Sequence, residues 1–240
     1  ISACLVGSEM CIRDRCIILL SMTAKKYDKD FFKSWSAAMA YSLGFLYADG
    51  NIVKNKLGGH YISVYSADRI ILQSLKNSWQ STHKLSVRCT LSGKVYRLQV
   101  GSKEWFADLG KLGLHPSKTK RLELPVIPKE FLGDFIRGYF DGDGNVWVGK
   151  IHKDRKMATL TIQVAFTSGS YDFLVSLRDV LHENGLQGGS VFRLKQGEYG
   201  RLIFSVRDAL KLYEIMYNGP CKLLLVRKRA IFEQFYKMRE

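Results

Sequence analysis

The sequence predicts an α+β fold of two pseudo-symmetric lobes, each running helix, two strands, helix, two strands, helix. Three observations carry this reading. Two apolar helical stretches, residues 42–52 and 135–146, each hold an internal glycine and close on Asp-Gly-Asn before a strand. The chain after each stretch repeats one order of strand-like and helix-like periodicities. The repeats also align at their ends, where residues 97–105 resemble residues 201–209 with basic, apolar and acidic positions in step.

Residues 1–34 read as an N-terminal extension of unclear role. Within it, residues 1–22 fit no expected core element, and their apolar run at 16–20 is too short to span a membrane. Basic residues do not lead this segment and no Ala-x-Ala-like site follows it, so a signal peptide is not expected. It is read as disordered or strand-like, and residues 23–34 form a polar, basic lead-in.

The first lobe spans residues 35–113. Ser36 is placed to cap a helix over 37–49. Strands are expected near 51–57 and 61–65, joined through Gly58-Gly59. An amphipathic helix from 67 to 79 directs Ile70, Ile71, Leu72 and Leu75 to the core. A hairpin with arms near 85–91 and 95–100 turns at Ser92-Gly93. A helix over 102–112 carries Trp105, Phe106 and Leu109, and Gly113 ends it. Residues 114–128 form an extended connector, with Pro116, Pro125 and Pro128 around the basic run Lys118-Thr119-Lys120-Arg121.

The second lobe spans residues 129–240. It opens with a helix over 129–143, followed by strands near 145–153 and 158–167 with basic residues at their turn. Ser168 or Ser170 starts a helix running to about Asn184, and Gly185 marks its end. A hairpin near 190–205 breaks at Gln196-Gly197-Glu198. Residues 207–217 are helical, Gly219-Pro220 interrupts them, and residues 222–237 form a terminal helix.

Composition bounds the partners. The 240 residues are 46% hydrophobic, enough for one large domain or two compact lobes with a packed core. Lys and Arg number 37 against 22 Asp and Glu, a net charge of +15. In a folded, aromatic-rich chain this excess points first to nucleic acid, then to an anionic membrane or acidic partner. The 4 prolines and the lack of a long Ser/Gly run argue against loosely tethered domains. Five cysteines, at 4, 11, 16, 89 and 221, make neither a disulfide scaffold nor a zinc site, so a reducing compartment is expected.

The two glycine-bearing helices hold the chemistry. Gly50 and Gly144 are expected to supply the left-handed backbone that ends each helix, and each helix thereby delivers one carboxylate, Asp49 or Asp143, at its C-terminus. An anion there opposes the helix dipole, so a cation or other compensating group is expected nearby. Gly44 and Gly138 weaken their helices but permit close approach. Helices crossing at these glycines bring the two carboxylates side by side. Such a pair must share a proton or hold a metal, and Mg²⁺ is the hard, oxygen-seeking ion that suits it.

These segments resemble the paired motifs of the LAGLIDADG homing endonucleases in their single-chain, two-motif form. The likeness lies in the Gly-x-x-x-x-Asp-Gly core and extends in coarse order through residues 35–236. It implies motif helices at the lobe interface and two antiparallel sheets forming a DNA-binding saddle. It implies a monomeric, free-standing or intron-encoded, site-specific hydrolase that makes a staggered double-strand break with short 3′ overhangs at a long target. By this resemblance Asp49 and Asp143 are catalytic metal ligands, and Gly44 and Gly138 pack the lobe-interface helices. Mg²⁺ is the expected cofactor, Mn²⁺ is another, and Ca²⁺ is expected to bind without supporting turnover. Position 47, acidic in the family pattern, is Tyr47, while the matching Asp141 is retained; the site is read as structural. The family also places basic residues near each scissile phosphate, which by position points to Lys118 or Lys120 and to Arg227 or Lys228. The alternative reading is linker–phosphate contact for the first pair and a solvated helix face for the second.

Recognition is expected from strand faces that meet the major groove. The alternation selects Tyr61, Ser63, Tyr65, Arg97 and Gln99 in the first lobe, and Thr161, Gln163, Arg193, Lys195 and Arg201 in the second. Unlike residues at matched positions, such as Gln99 and Ile203, imply half-sites that differ and a target that is not a perfect palindrome.

Other readings stand beside this one. A relative that no longer cuts would be a DNA-binding regulator or an intron RNA maturase, against which the retained Asp49 and Asp143 favour cutting. A complete intein is not expected, since the chain starts Ile1-Ser2 and ends Met238-Arg239-Glu240. An EF-hand starting at Asp141 would need Gly at 146 and Glu at 152, where Val146 and His152 stand. An intracellular setting is expected, bacterial cytoplasm or organelle matrix.

Overall fold

The computed structural model describes residues 25–91, 93–117, 121–152, 158–194 and 199–239. Helix α1 (Ala37–Asp49) leads into β1 (Gly50–Lys54), β2 (His60–Ser66), α2 (Arg69–Ser78), β3 (Ser86–Thr90), β4 (Gly93–Gly101) and α3 (Lys103–Lys111). The series recurs as α4 (Leu132–Asp143), β5 (Gly144–Ile151), β6 (Thr159–Ser168), α5 (Tyr171–Glu183), β7 (Ser190–Arg193), β8 (Gly200–Ser205) and α6 (Val206–Tyr217). Helix α7 (Val226–Lys237) ends the chain. Both sheets are antiparallel with the same order, β1-β2-β4-β3 and β5-β6-β8-β7. The expected duplication is therefore a duplication of topology.

Local chemistry sets the helix starts. Ser36, Asp68, Ser102 and Ser170 accept from the Met39, Ile70, Trp105 and Phe173 amides at 3.1, 2.9, 3.0 and 3.3 Å. Each such cap stabilises its helix by about 1 kcal/mol.

The two lobes join at the glycines. A Cβ on Gly44 would collide with the Phe135 carbonyl, and one on Gly138 would collide with the Tyr41 carbonyl. The contact is reciprocal, main chain against main chain. Around it α1 is buried from Met39 to Tyr47, and α4 buries Phe135, Ile136, Tyr139 and Phe140. Each sheet packs one face on its own helices, with Ile62, Val64, Leu98 and Val100 in one lobe and Ile162, Val164, Leu202 and Phe204 in the other, all fully buried. Aromatic rings from the lead-in close the first core: Phe32 meets the Trp105 ring edge-on at 5.0 Å.

Several expectations need correction. Ile70 is 78% exposed, because of three consecutive apolar residues only Ile71 and Leu72 lie on the buried side of α2. Strand β1 ends at Lys54, where the Asn55 side chain accepts from the Leu57 and Gly59 amides and folds the chain into a turn. Residues 129–131 form a 3-10 turn ahead of α4. Helix α7 starts at Val226, not 222, since Leu223 and Leu225 spend their backbone groups on α4: Arg137 Nε donates to the Leu223 carbonyl at 2.9 Å and the Leu225 amide donates to Asp141 at 2.8 Å. The expected extension at 1–22, Ser92, Lys118, Lys120, the basic turn at 153–157, Lys195 and the break at 196–198 lie outside the described residues.

Candidate functional site

Asp49 and Asp143 are the last residues of α1 and α4, and Gly50 and Gly144 begin the first strand of each sheet. Because the helices cross at Gly44 and Gly138, both C-terminal ends emerge at one place, between the sheets. Asp49 is half-buried and Asp143 exposed. A Cβ on Gly142 would stand 3.5 Å from Asp49 Oδ2, so the Asp49 carboxylate lies against the residue preceding Asp143. Both carboxylates also act on the same two neighbours, the Tyr139 hydroxyl and the Lys228 ammonium. A small recess of about 100 Å³ beside Asp143 is lined by Tyr47, Tyr139, Thr167 and Tyr199.

The compensating cation expected at the helix ends is Lys228. It is 6% exposed, and its Nζ donates to the carbonyls of Phe140, Asp141 and Gly144 at 2.5, 2.9 and 2.6 Å. Three donors meet three acceptors at the C-terminal end of α4, where the helix dipole favours a cation. Burial draws its pKa down to about 8, against the opposing pull of Asp141. Lys228 therefore does not lie on a solvated helix face. Arg227 beside it is exposed.

A buried polar cluster supports this end of α4. Asp141 accepts from the Tyr41 hydroxyl at 2.7 Å and from the Leu225 amide. Burial raises the Asp141 pKa, and the Tyr41 hydroxyl is pushed up as well, by burial and then by Asp141. Arg137, 4% exposed, bonds to the Leu223 and Met216 carbonyls and to Asp134. At the matching place on α1, Tyr47 is buried and its hydroxyl donates to the Leu112 carbonyl at 2.5 Å. Tyr47 and Asp141 are both buried and bonded to main chain that follows the third helix of their own lobe, at Leu112 and Leu225.

The face of each sheet away from the helices carries the candidate recognition residues. In the first lobe β2 places Tyr61, Ser63 and Tyr65 there, with Arg97 and Gln99 adjacent on β4. Arg97 donates to Gln99. Ser63 is 4% exposed, flanked in the ladder by the longer Asn51 and Gln99. Thr161 is also 4% exposed; it pairs with Gly149, over which the Trp147 indole lies. Gln163 and Arg201 are on the open face, half-buried and exposed respectively. Arg193 is not. It pairs with Gly200 on the helix-facing side, and its guanidinium lies over the Tyr171 ring at 5.0 Å. Its neighbour Phe192 takes the open face opposite Arg201.

Other open-face residues escaped the sequence reading. Exposed Arg88 pairs with Val95 in step with Arg97, and Trp147, 46% exposed, pairs with Gln163. Only the strand register reveals their side.

The residues fit a hard divalent cation. Among the described residues no group of three or more His, Cys, Asp or Glu gathers into a metal cluster. Two carboxylates at one place are the donor set that Mg²⁺ accepts when substrate phosphates and water complete its shell.

Comparison with known proteins gives the fold a family setting. The model of a LAGLIDADG-like domain matches residues 130–217. An uncharacterized protein of Methanocaldococcus jannaschii is 28% identical over 119 residues, 48% of this chain and 42% of its own length. A probable translation initiation factor IF-2 of Thermococcus kodakarensis is 27% identical over 194 residues, 75% of this chain. The chain spans less than half the length of both, 42% and 14%. Among solved structures, the meganuclease I-SmaMI bound to uncleaveable DNA superposes with a TM-score of 0.56 at 12% identity, covering 82% of this chain and 88% of that one. The LAGLIDADG meganuclease I-AabMI bound to uncleaved DNA gives 0.57 at 14%, with 82% and 88% covered. A mesophilic variant of the homing endonuclease I-DmoI gives 0.54 at 14%, with 80% and 99% covered. The chain therefore has the two-lobed LAGLIDADG homing-endonuclease fold, and its second lobe carries a LAGLIDADG-like domain.

Proposed function

We propose that the protein is a site-specific, divalent-metal-dependent DNA endonuclease. The observation that carries this reading is the convergence of Asp49 and Asp143 at the joint between two sheets, in a chain of net charge +15. The lobes, residues 35–113 and 129–240 with a connector over 114–128, each serve one half of a duplex. The relatives whose structures hold DNA support a saddle of this shape as a DNA-binding surface.

Asp49 and Asp143 would hold Mg²⁺, or Mn²⁺ in its place, while Ca²⁺ would bind without turnover. When bound, the cation supplies positive charge at the phosphate and activates the attacking water. The chain does the rest. Main-chain contact at Gly44 and Gly138 fixes the separation of the two carboxylates, so each strand of the duplex meets one acid. Lys228 screens the carboxylates from the negative end of α4. Arg227, and Lys118 or Lys120 in the other lobe, are the basic residues proposed to meet phosphate. Tyr61, Tyr65, Arg97 and Gln99 face one half-site; Gln163 and Arg201 face the other.

The test is selection of cleaved sites from a random duplex library, with Mg²⁺ or EDTA, beside an Asp143→Asn variant. Metal-dependent breaks at one long, partly asymmetric site, lost in the variant, are expected. Selective binding without cleavage under any divalent metal would leave a DNA-binding regulator in place of an enzyme.

A further inference from the structure

The two open sheet faces can be compared position by position, because both ladders have the same order. Asn51 pairs with Ser63 and Ser63 with Gln99; in the second lobe Asn145 pairs with Ala165 and Ala165 with Ile203. One ladder step nearer the motif carboxylates, Arg97 pairs with Ser86 and Arg201 with Phe192. Ser63, Gln99 and Ser86 are thus matched by Ala165, Ile203 and Phe192. Three polar positions in one lobe are three apolar positions in the other.

The apolar trio is not core. The core of the second lobe lies on the opposite face of the sheet, under Ile162, Val164, Leu202 and Phe204. Ala165 and Ile203 are half-buried and Phe192 is 39% exposed. The exposed guanidinium of Arg201 lies beside them, opposite Phe192. An apolar step framed by a cation, on a surface facing the candidate nuclease centre, matches a polyanion that presents apolar groups at a regular place. In duplex DNA those groups are the thymine 5-methyls, which line the major groove and are read by apolar side chains. Of the polar trio, Gln99 and Ser86 suit the donors and acceptors of base edges instead, while Ser63 lies buried between its longer neighbours.

We infer that Ala165, Ile203 and Phe192 read thymine methyl groups in the half-site under the second lobe, so that the half-sites differ in chemistry as well as sequence. This rests on the DNA-binding reading above. The readout is Kd by fluorescence anisotropy in EDTA, which suppresses cutting. The probes are target duplexes in which each thymine is replaced singly by deoxyuridine, which keeps pairing and removes only the methyl.

Wild type is expected to bind about fourfold more weakly at one or two adjacent positions of one half-site and to be indifferent elsewhere. The Ile203→Gln variant, which gives the second lobe the first lobe's residue, is expected to lose that sensitivity. Selective binding with no methyl dependence at any thymine overturns the inference and leaves the DNA reading intact, as does sensitivity that survives Ile203→Gln, Ala165→Ser and Phe192→Ser alike. Absence of selective binding to any duplex overturns both.

Discussion

The matched positions Tyr47 and Asp141 do the same job with opposite chemistry. Each sits two residues before the motif carboxylate and ties down the chain that follows the third helix of its own lobe. Tyr47 does so as a donor, to the Leu112 carbonyl just after α3. Asp141 does so as an acceptor, from the Leu225 amide after α6. The neutral tether packs among aromatic rings, with Tyr47 against Phe135 at 5.4 Å and Phe173 at 6.1 Å. The ionisable tether comes with the Tyr41 hydroxyl, Arg137 and Lys228. Duplication has conserved the tether and let its polarity change.

The largest break in this comparison is expected from Asp141→Leu. It strands the Tyr41 hydroxyl and the Leu225 amide in the interior and should cost about 3 kcal/mol. Chemical denaturation would register it, with Asp141→Asn keeping an acceptor and losing less. Equal losses for the two variants would show that the carboxylate's charge, not its acceptor, holds the segment.

A mid-sized effect concerns Lys228 and pH. Its folded pKa, about 8, lies below the ordinary 10.5, so the fold disfavours the charged form. The unfolded chain then binds more protons between these values, and stability rises with pH through that window. The stability of wild type relative to Lys228→Met should improve by about 2 kcal/mol between pH 7.5 and 10. A flat difference would mean that the three carbonyls hold the ammonium as well as water does.

The smallest is Tyr47→Phe, which keeps the ring and removes one donor, at a cost of about 1 kcal/mol. Thermal unfolding beside Asp141→Leu would rank the two tethers. A loss as large as that of Asp141→Leu would erase the contrast between them.

Much of this was legible in the chain. Ser36 starts α1 because capping is written in adjacent residues, whereas Gly50 and Gly144 end their helices in extended backbone, at φ −88° and −87°, and not in the expected left-handed turn. Gly44 and Gly138 announced a close crossing because a glycine in a buried helix needs a neighbour at that spot. Asp49 and Asp143 followed from their places after those glycines. The unread features depend on phase or distance. Arg193 and Phe192 exchange faces with a shift of one residue, and no local signal fixes that phase. Lys228 meets carbonyls 84 to 88 residues away, and in sequence it belongs to an ordinary basic stretch. Ile70 was one of three apolar neighbours, and a helix has room for only part of such a run on its inner side.

The glycine crossing has one more consequence. A joint whose centre is made backbone to backbone leaves side-chain fitting only to its flanks, where Tyr41 meets Asp141 and Tyr47 meets Phe135. It behaves as a machinist's datum, with every other dimension measured from it. The spacing of the two acids' Cα atoms follows from the pitch of two α-helices counted from the crossing. A lobe replaced by a re-sequenced counterpart that keeps Gly44 and Gly138, with the Tyr41–Asp141 and Tyr47–Phe135 contacts beside them, should mate with the other like an interchangeable part.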